Sequence, residues 1–559
     1  MRHALDLELI STLADFPEPQ QDLAACLNAH GLYSPMQFVL RLSPRIHALI
    51  DQYTNNGESQ SDIPWEAIQA YSTYLHETVH WWQHVGSTAG LVMSLSYPGQ
   101  LHTSLAELRN VVQIAGPKKS LKDWAEDVLR RDDKTYDGII GDANIAVNNA
   151  VDVEFYKLIA LDPDAEEKVY QDPYFESAGH CFHIAYQHLL SATGTACDAE
   201  FEHLPDPRNW MDAFVDLAER KVVGYFYGSP ILRPPVGVRA IFEGQARFAQ
   251  LQFLSFASGP DGLSYDEALS QGYLKGVYGD AFRAFLDITR VPPPSSAHDA
   301  TTALFLLVCD LAINPTRGFP LQIADFDTFL QDVNPGIRFI GLCQAIKAEP
   351  KLASAIRHYS RDEYDRIAGR LCELAGYDHP FDALRVTANW RHSAPGVAKL
   401  MEEHSTFEFD RTNLTIRVLL SHHIAFCADK LEHPEVFCWP GAALAGPNLS
   451  KVSQYLWLRH LSLFSDKEND DGVFARKFPD KKPEAVLATY NSFFGGVLIY
   501  DLTRQWILQP GPFRYNYSWL SSQHSQDEIA AQAKNVFERL LGANPDDFEI
   551  FEQAPQPTE

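Results

Sequence analysis

The chain has 559 residues, 45% of them hydrophobic and 21% charged, the balance of an ordinary globular protein with room for about two to four domains. Its 73 acidic and 46 basic residues give a formal net charge of −27. That excess of acid argues against nucleic acid, whose phosphates need Lys and Arg, and against anionic membrane surfaces.

The opening residues Met1–Glu8 carry acids early and hold no continuous apolar run, so no signal peptide is expected there. Phe38-Val39-Leu40-Arg41-Leu42 reads as a strand. A break at Asn55–Glu58 follows, and Ser61-Asp62-Ile63-Pro64 supplies a cap-like helix start. From Trp65 onward neither Gly nor Pro interrupts the pattern until Gly86, which predicts a helix of about six turns.

Late in that helix stands His76-Glu77-Thr78-Val79-His80, an H-E-x-x-H motif. Residues four apart share one helix face, so both imidazoles can address one metal ion. Glu77 beside them is placed to take a proton from a metal-activated water. The alternative is a pair of histidines satisfied by hydrogen bonds inside a helical core. His84 lies a further turn along, too far for all three rings to close round one ion, and reads as a supporting or structural residue. The third-His pattern H-E-x-x-H-x-x-G-x-x-H fails, because Gln83 and Gly86 occupy the places of its Gly and His. A catalytic zinc usually has three protein ligands, so a carboxylate must come from elsewhere. Asp152 and Glu154 are one possibility, although two residues apart on a helix they diverge by roughly 200° and only one could face the site. They read otherwise as a solvated face.

The better third ligand is Glu243, in Ala240-Ile241-Phe242-Glu243-Gly244-Gln245-Ala246-Arg247-Phe248. Pro234-Pro235 and Gly237 mark a helix start before it, and Gly244 allows a close approach to another backbone. His76-Glu77-x-x-His80 with a downstream Glu243-Gly244-x-Ala246 resembles the gluzincin branch of the zincin metallopeptidases. The wider H-E-x-x-H-W-W-Q also resembles uncharacterised bacterial proteins of that broad type. The resemblance covers two short helices and implies Zn²⁺ held by His76, His80 and Glu243, with Glu77 as general base. It implies a small sheet near the N-terminus, to which residues 38–42 could contribute. It departs from the thermolysin pattern in its long gap between motif and third ligand. It departs again at Arg247, which stands where an Asp would orient a zinc histidine and which could instead pair with Glu243 at i,i+4. An oxyanion donor is also expected, with Tyr225, Tyr227, Arg391 and His392 as open choices.

Further along, breaks fall at Ser258–Gly262 and Val291–Ser296. Ala303–Cys309 reads as a buried helix too short to span a bilayer, and Ala353–Leu374 and Glu528–Leu541 as amphipathic helices. Leu414–Leu419 is the clearest later strand candidate. Asp466–Gly472 has an approximate calcium-loop pattern, but its Gly comes one place late and Lys477 replaces the chelating Glu. The stretch from Ser465 to about Pro483 therefore reads as a solvated charged loop. His180-Cys181-Phe182-His183 and His422-His423 lack partners at zinc-ligand spacing and read as core or surface histidines. Eight scattered cysteines without C-x-x-C fit reduced thiols of a cytoplasmic protein. The tail Gln553–Glu559 reads as disordered.

The expectation is therefore a predominantly helical α+β protein with a zincin-like core and helical insertions. Residues 1–290 would hold the catalytic region, with helical regions at 291–464 and 465–559. Its expected function is zinc-dependent hydrolysis of a protein or peptide substrate, with no nucleic-acid or membrane partner. An inactive scaffold that binds partners, or a hydrolase of small amides or esters, remains open.

Overall fold

The computed structural model describes residues 5–10, 31–34, 38–54, 63–259 and 263–551. The calls at residues 55–58, 61–62, 260–262 and 553–559, and Cys26, lie outside them. Helices dominate and short strands form two small sheets, so the class is predominantly helical α+β, as expected. The larger sheet runs Gly31–Ser34, Val39–Leu42, Phe464–Lys467, Asp470–Ala475. Its outer pairs are antiparallel and its central pair, Val39 opposite Phe464, is parallel. Strands far apart in sequence thus meet, and one hydrophobic core extends from Leu9 to Phe548.

The motif helix Trp65–Gly86 runs through this core. Every residue from Leu75 to Gly86 is buried, because a different neighbour covers each side. Helices Thr88–Ala115, Val238–Ala257 and Leu414–Glu432 pack on it, as do the first two strands. Pro64 occupies the cap position before Trp65 without a side-chain hydrogen bond. At the other end Ser87 adopts an extended backbone, and its hydroxyl accepts from the Gly90 N–H to start the next helix. The turn is tight. A Cβ on Gly90 would stand 1.9 Å from the Gln83 carbonyl oxygen, and one on Gly86 2.5 Å from the Phe426 ring.

Several elements differ from the sequence reading. Leu414–Leu419 is not a strand but the start of helix Leu414–Glu432. Its first eight residues are all buried, and an apolar run covered on every side carries no periodicity to separate helix from strand. The stretch after Ser465 is not a solvated loop. Strands Phe464–Lys467 and Asp470–Ala475 form a hairpin there, and Asp466 accepts from the Leu42 N–H at 3.1 Å and contacts His47 at 2.7 Å. Its charge is used to tie the hairpin to the sheet. The region expected as one helix over Ala353–Leu374 divides into a 3-10 turn Pro350–Ser354 and a helix Arg361–Ala375. Ser360 and Glu363 start the latter with a capping box.

The helix start at Gly237/Val238, the buried helix around Ala303–Cys309, the strand Val39–Leu42 and the helix Gln526–Leu541 agree with expectation. Among the described residues one helix, Pro483–Leu508, is long and apolar enough by length and composition to cross a membrane. Here it packs on helices Thr88–Ala115, Leu121–Arg131, Ile140–Leu161, Leu414–Glu432 and Gln526–Leu541, burying Phe493, Leu498, Leu502 and Trp506.

The crossing at Gly90 generates a stability prediction. Gly90→Ala forces a methyl into the Gln83 carbonyl and should destabilise the protein by about 2–3 kcal/mol. Gly141→Ala, whose Cβ meets nothing within 4 Å on an exposed helical position, should be neutral or stabilising by up to about 1 kcal/mol. Urea unfolding of both variants measures the difference.

Candidate metal centre

The motif helix carries His76 and His80 on one face, with ring centroids 4.8 Å apart and ring planes at 81°. Their Nε2 atoms are 3.1 Å apart. The second helix, Val238–Ala257, runs antiparallel alongside and is held by polar contacts at two levels. At one, the Gln83 amide Nε2 donates to the Phe242 carbonyl and to Gln245 Oε1, both at 2.9 Å. At the other, Gln250 Nε2 donates to Ser72 Oγ at 3.2 Å and to Thr73 Oγ1 at 3.1 Å. On the motif helix His76 and His80 fall between these levels, and Glu243 stands at the first of them, next to Phe242. Its Oε2 lies 3.6 Å from His76 Nε2 and 3.4 Å from His80 Nε2.

These distances bear directly on a metal. Two ligand atoms each about 2.05 Å from a tetrahedral zinc are separated by about 3.3–3.4 Å. The three observed separations, 3.1, 3.4 and 3.6 Å, bracket that edge length. Among the described residues this is the one group of three or more His, Cys, Asp or Glu side chains able to hold a metal ion. Two imidazoles and a carboxylate are a donor set suited to a divalent metal such as zinc.

Gln83 fixes the orientation of His80. Because its amide nitrogen is committed to Phe242 and Gln245, the oxygen must face His80 Nδ1, 2.7 Å away. The Nδ1–H therefore donates to Gln83, which leaves Nε2 as the ring atom that faces Glu243 and His76. His76 Nδ1, by contrast, is buried without a hydrogen-bond partner among the described residues.

The centre is recessed. His76 is 1% exposed, Glu77 2% and His80 8%, whereas the Glu243 side chain retains 26%. Burial pushes His76 down to about 3, leaving a neutral imidazole. Burial also opposes charge on His80, but the Glu243 carboxylate, with Glu77 and Gln83, outweighs it and raises that ring to about 9. Burial would raise Glu243, yet the two histidines hold it well below the usual carboxylate range. Without a metal, His80 and Glu243 thus form an ion pair. Arg247 brings a second positive charge close enough to feel both Glu77 and Glu243. Its hydrogen bonds run to the Ile10 carbonyl and Gln250 Oε1, and its guanidinium lies 4.4 Å from the centroid of the Tyr278 ring.

The other candidate residues are employed elsewhere. Asp152 and Glu154 are not a solvated face. Asp152 contacts His180 at 3.1 Å, and Glu154 holds Arg504 through two bonds and accepts from the Tyr97 hydroxyl. Tyr225 accepts the Leu330 N–H, Tyr227 is 73% exposed, and Arg391 bonds to its neighbour His392 at the surface. His84 packs on the Phe242 ring, with burial lowering it to about 3. His183 stacks on Phe214, and His422 and His423 bond to the Val418 and Val85 carbonyls. Gly244 meets the side chains of Ala281 and Phe305 at 3.3 Å, so its close approach is to side chains behind the centre rather than to a backbone.

Sequence reasoning missed two participants. Gln83 was legible in principle, one turn beyond His80. Tyr278, whose ring centroid is 6.2 Å from that of His76, belongs to the separate helix Val277–Thr289 and left no local signal.

The raised His80 predicts how metal-free protein responds to pH. A folded value near 9 against an ordinary 6.5 contributes stability that is full below pH 6.5 and lost as pH rises through about 9. The depressed Glu243 contributes above its ordinary 4.5 and loses that contribution in acid. Protein dialysed against EDTA should therefore lose stability between pH 6.5 and 9 more steeply than His80→Gln, by up to about 1.4 kcal/mol per pH unit. Equal slopes in parallel urea titrations would contradict this ion pair. Compared with family models, curated proteins and solved structures, the chain matches none of them, so the site stands on its own geometry.

Proposed function

We propose that this protein is a zinc-dependent hydrolase of gluzincin type, acting first on peptide bonds. The observation that carries this reading is the set of separations among His76 Nε2, His80 Nε2 and Glu243 Oε2, which fit the edges of a zinc tetrahedron. Strands Gly31–Ser34 and Val39–Leu42 packed on the motif helix are consistent with a zincin-like core.

His76, His80 and Glu243 would hold the metal, and Gln83 would keep His80 in the binding tautomer. When bound, zinc supplies Lewis acidity and brings the pKa of a water toward ~7. Glu77, next to His76 in the helix, takes the proton from the attacking water and returns it to the leaving amine. The Tyr278 ring lies beside His76, with centroids 6.2 Å apart and the Arg247 guanidinium packed on its face. Its hydroxyl donates to the oxygen that becomes negative as the carbonyl is attacked. Burial of His76 and Glu77 limits the access of other water to them.

A second reading, hydrolysis of a small amide or ester, is favoured by one observation. The ligands are recessed, with exposure concentrated on Glu243. A site reached past one side chain suits a small substrate better than an extended strand. The seven described cysteines are free thiols, which supports a reducing compartment such as the cytoplasm.

Elemental analysis of purified protein should find about one zinc per chain. His80→Ala and Glu243→Ala should each lose it. Glu77→Gln should keep the metal while hydrolysis of a peptide library falls about 100-fold or more. Tyr278→Phe should keep both metal and KM while kcat falls on the order of 100-fold. A chain that takes up no zinc on reconstitution, or that keeps it as Glu243→Ala, overturns the ligand set. Cleavage of small esters but not of peptides would select the second reading.

A further inference from the structure

A second site is assembled on the opposite use of charge. Between helices Ile140–Leu161 and Pro483–Leu508 lies a cleft of about 580 Å³ that holds none of the three metal-centre ligands. Its charged lining is Lys122, Arg504 and Arg514 against Glu154 and Asp172. In a chain with 73 acidic and 46 basic residues, a cleft with more base than acid runs against the composition. Glu154 is moreover already neutralised. Arg504 grips it through Nε at 2.6 Å and Nη2 at 2.9 Å, which leaves the Arg504 Nη1 edge outside that pair. Lys122 Nζ is 4.0 Å from Asp172, the outer limit of an ion pair. Arg514 makes one side-chain bond, to Gln509 Oε1.

The rim that carries Arg514 is held rigidly. Gln505 clamps the Arg514 backbone, accepting from its N–H at 2.8 Å and donating to its carbonyl at 2.9 Å. Lys119, fully buried, donates to the carbonyls of Gln509 and Gly511, both at 2.7 Å. Pro510 and Pro512 stiffen the same rim. A buried lysine spent on fixing a surface loop is explained if that loop must hold a binding geometry. Phe155, Leu508, Pro510 and Pro512 supply an apolar wall, and the volume lies in the range of small-molecule pockets.

We propose that this cleft binds a small organic anion, a carboxylate or phosphate head on an apolar body. The head sits among Arg504, Arg514 and Lys122, and the body lies along Phe155 and Leu508. Arg504 and Arg514 offer planar donor forks suited to either head.

Calorimetric titration of the full chain with hexanoate, hexyl phosphate and hexylamine tests this. At least one of the two anions should bind saturably at one per chain, and hexylamine should not. Which anion binds more tightly identifies the head. Arg514→Ala, which keeps the Gln505 clamp because that clamp holds backbone, and Lys122→Ala should each weaken binding about tenfold. Glu243→Ala should leave it unchanged, since the metal centre takes no part, whatever becomes of the zinc proposal. No saturable binding of either anion at millimolar concentration would overturn the proposal. So would binding indifferent to both cation variants, or binding lost in Glu243→Ala.

Discussion

The buried polar clamp between the motif helix and helix Val238–Ala257 is the constraint on which the centre depends. Two apolar helices packed antiparallel can slide by a turn, moving any side chain by about 5.4 Å along the axis. Here Gln83 bonds Phe242 and Gln245 at one level, and Gln250 bonds Ser72 and Thr73 at the other. A slip would leave these amides and hydroxyls unpaired inside the core, at about 1–3 kcal/mol for each. The polar residues therefore contribute register more than net stability. That register puts Glu243 opposite His76 and His80.

The same clamp governs electrostatics. Buried carboxylates need compensation, and Glu77 and Glu243 find it in Arg247 and in the proton on His80. Arg247 is itself anchored, to Ile10, Gln250 and the Tyr278 face, so its charge stays in place whether or not His80 gives up its proton. A dication held there, as proposed, would take the place of that proton beside two carboxylates. Gln83 joins both functions, since one amide sets the helix register and the His80 tautomer.

Charge elsewhere serves assembly as well. Asp466 ties the hairpin Phe464–Ala475 to strand Val39–Leu42 by bonding Leu42, 424 positions earlier, and Lys119 braces the rim of the second cleft. Lys430 and Asp310 pair inside the core, where Tyr364 also donates to Asp310. In each case a residue that reads from composition as solvated surface is instead buried against a specific partner. Counting charges along the chain does not reveal this, because a paired ion and a hydrated one have the same letter.

What the sequence determined alone is what short-range physics controls. The limits of helix Trp65–Gly86, the shared face of His76 and His80, and the helix start at Gly237 follow from rules that act within one or two turns. The strand Val39–Leu42 was legible for the same reason. Tertiary structure decided which carboxylate meets the histidines. Glu243 does so because residues 159 positions apart, Gln83 and Phe242, are hydrogen-bonded, while Asp152 and Glu154 are taken by His180 and Arg504. It also decided that Leu414–Leu419 is helical and that the Tyr278 ring packs beside His76. Helical periodicity is a property of neighbouring residues. The choice of partner for a fully buried face depends on every other surface competing to cover it, and no local pattern encodes that competition.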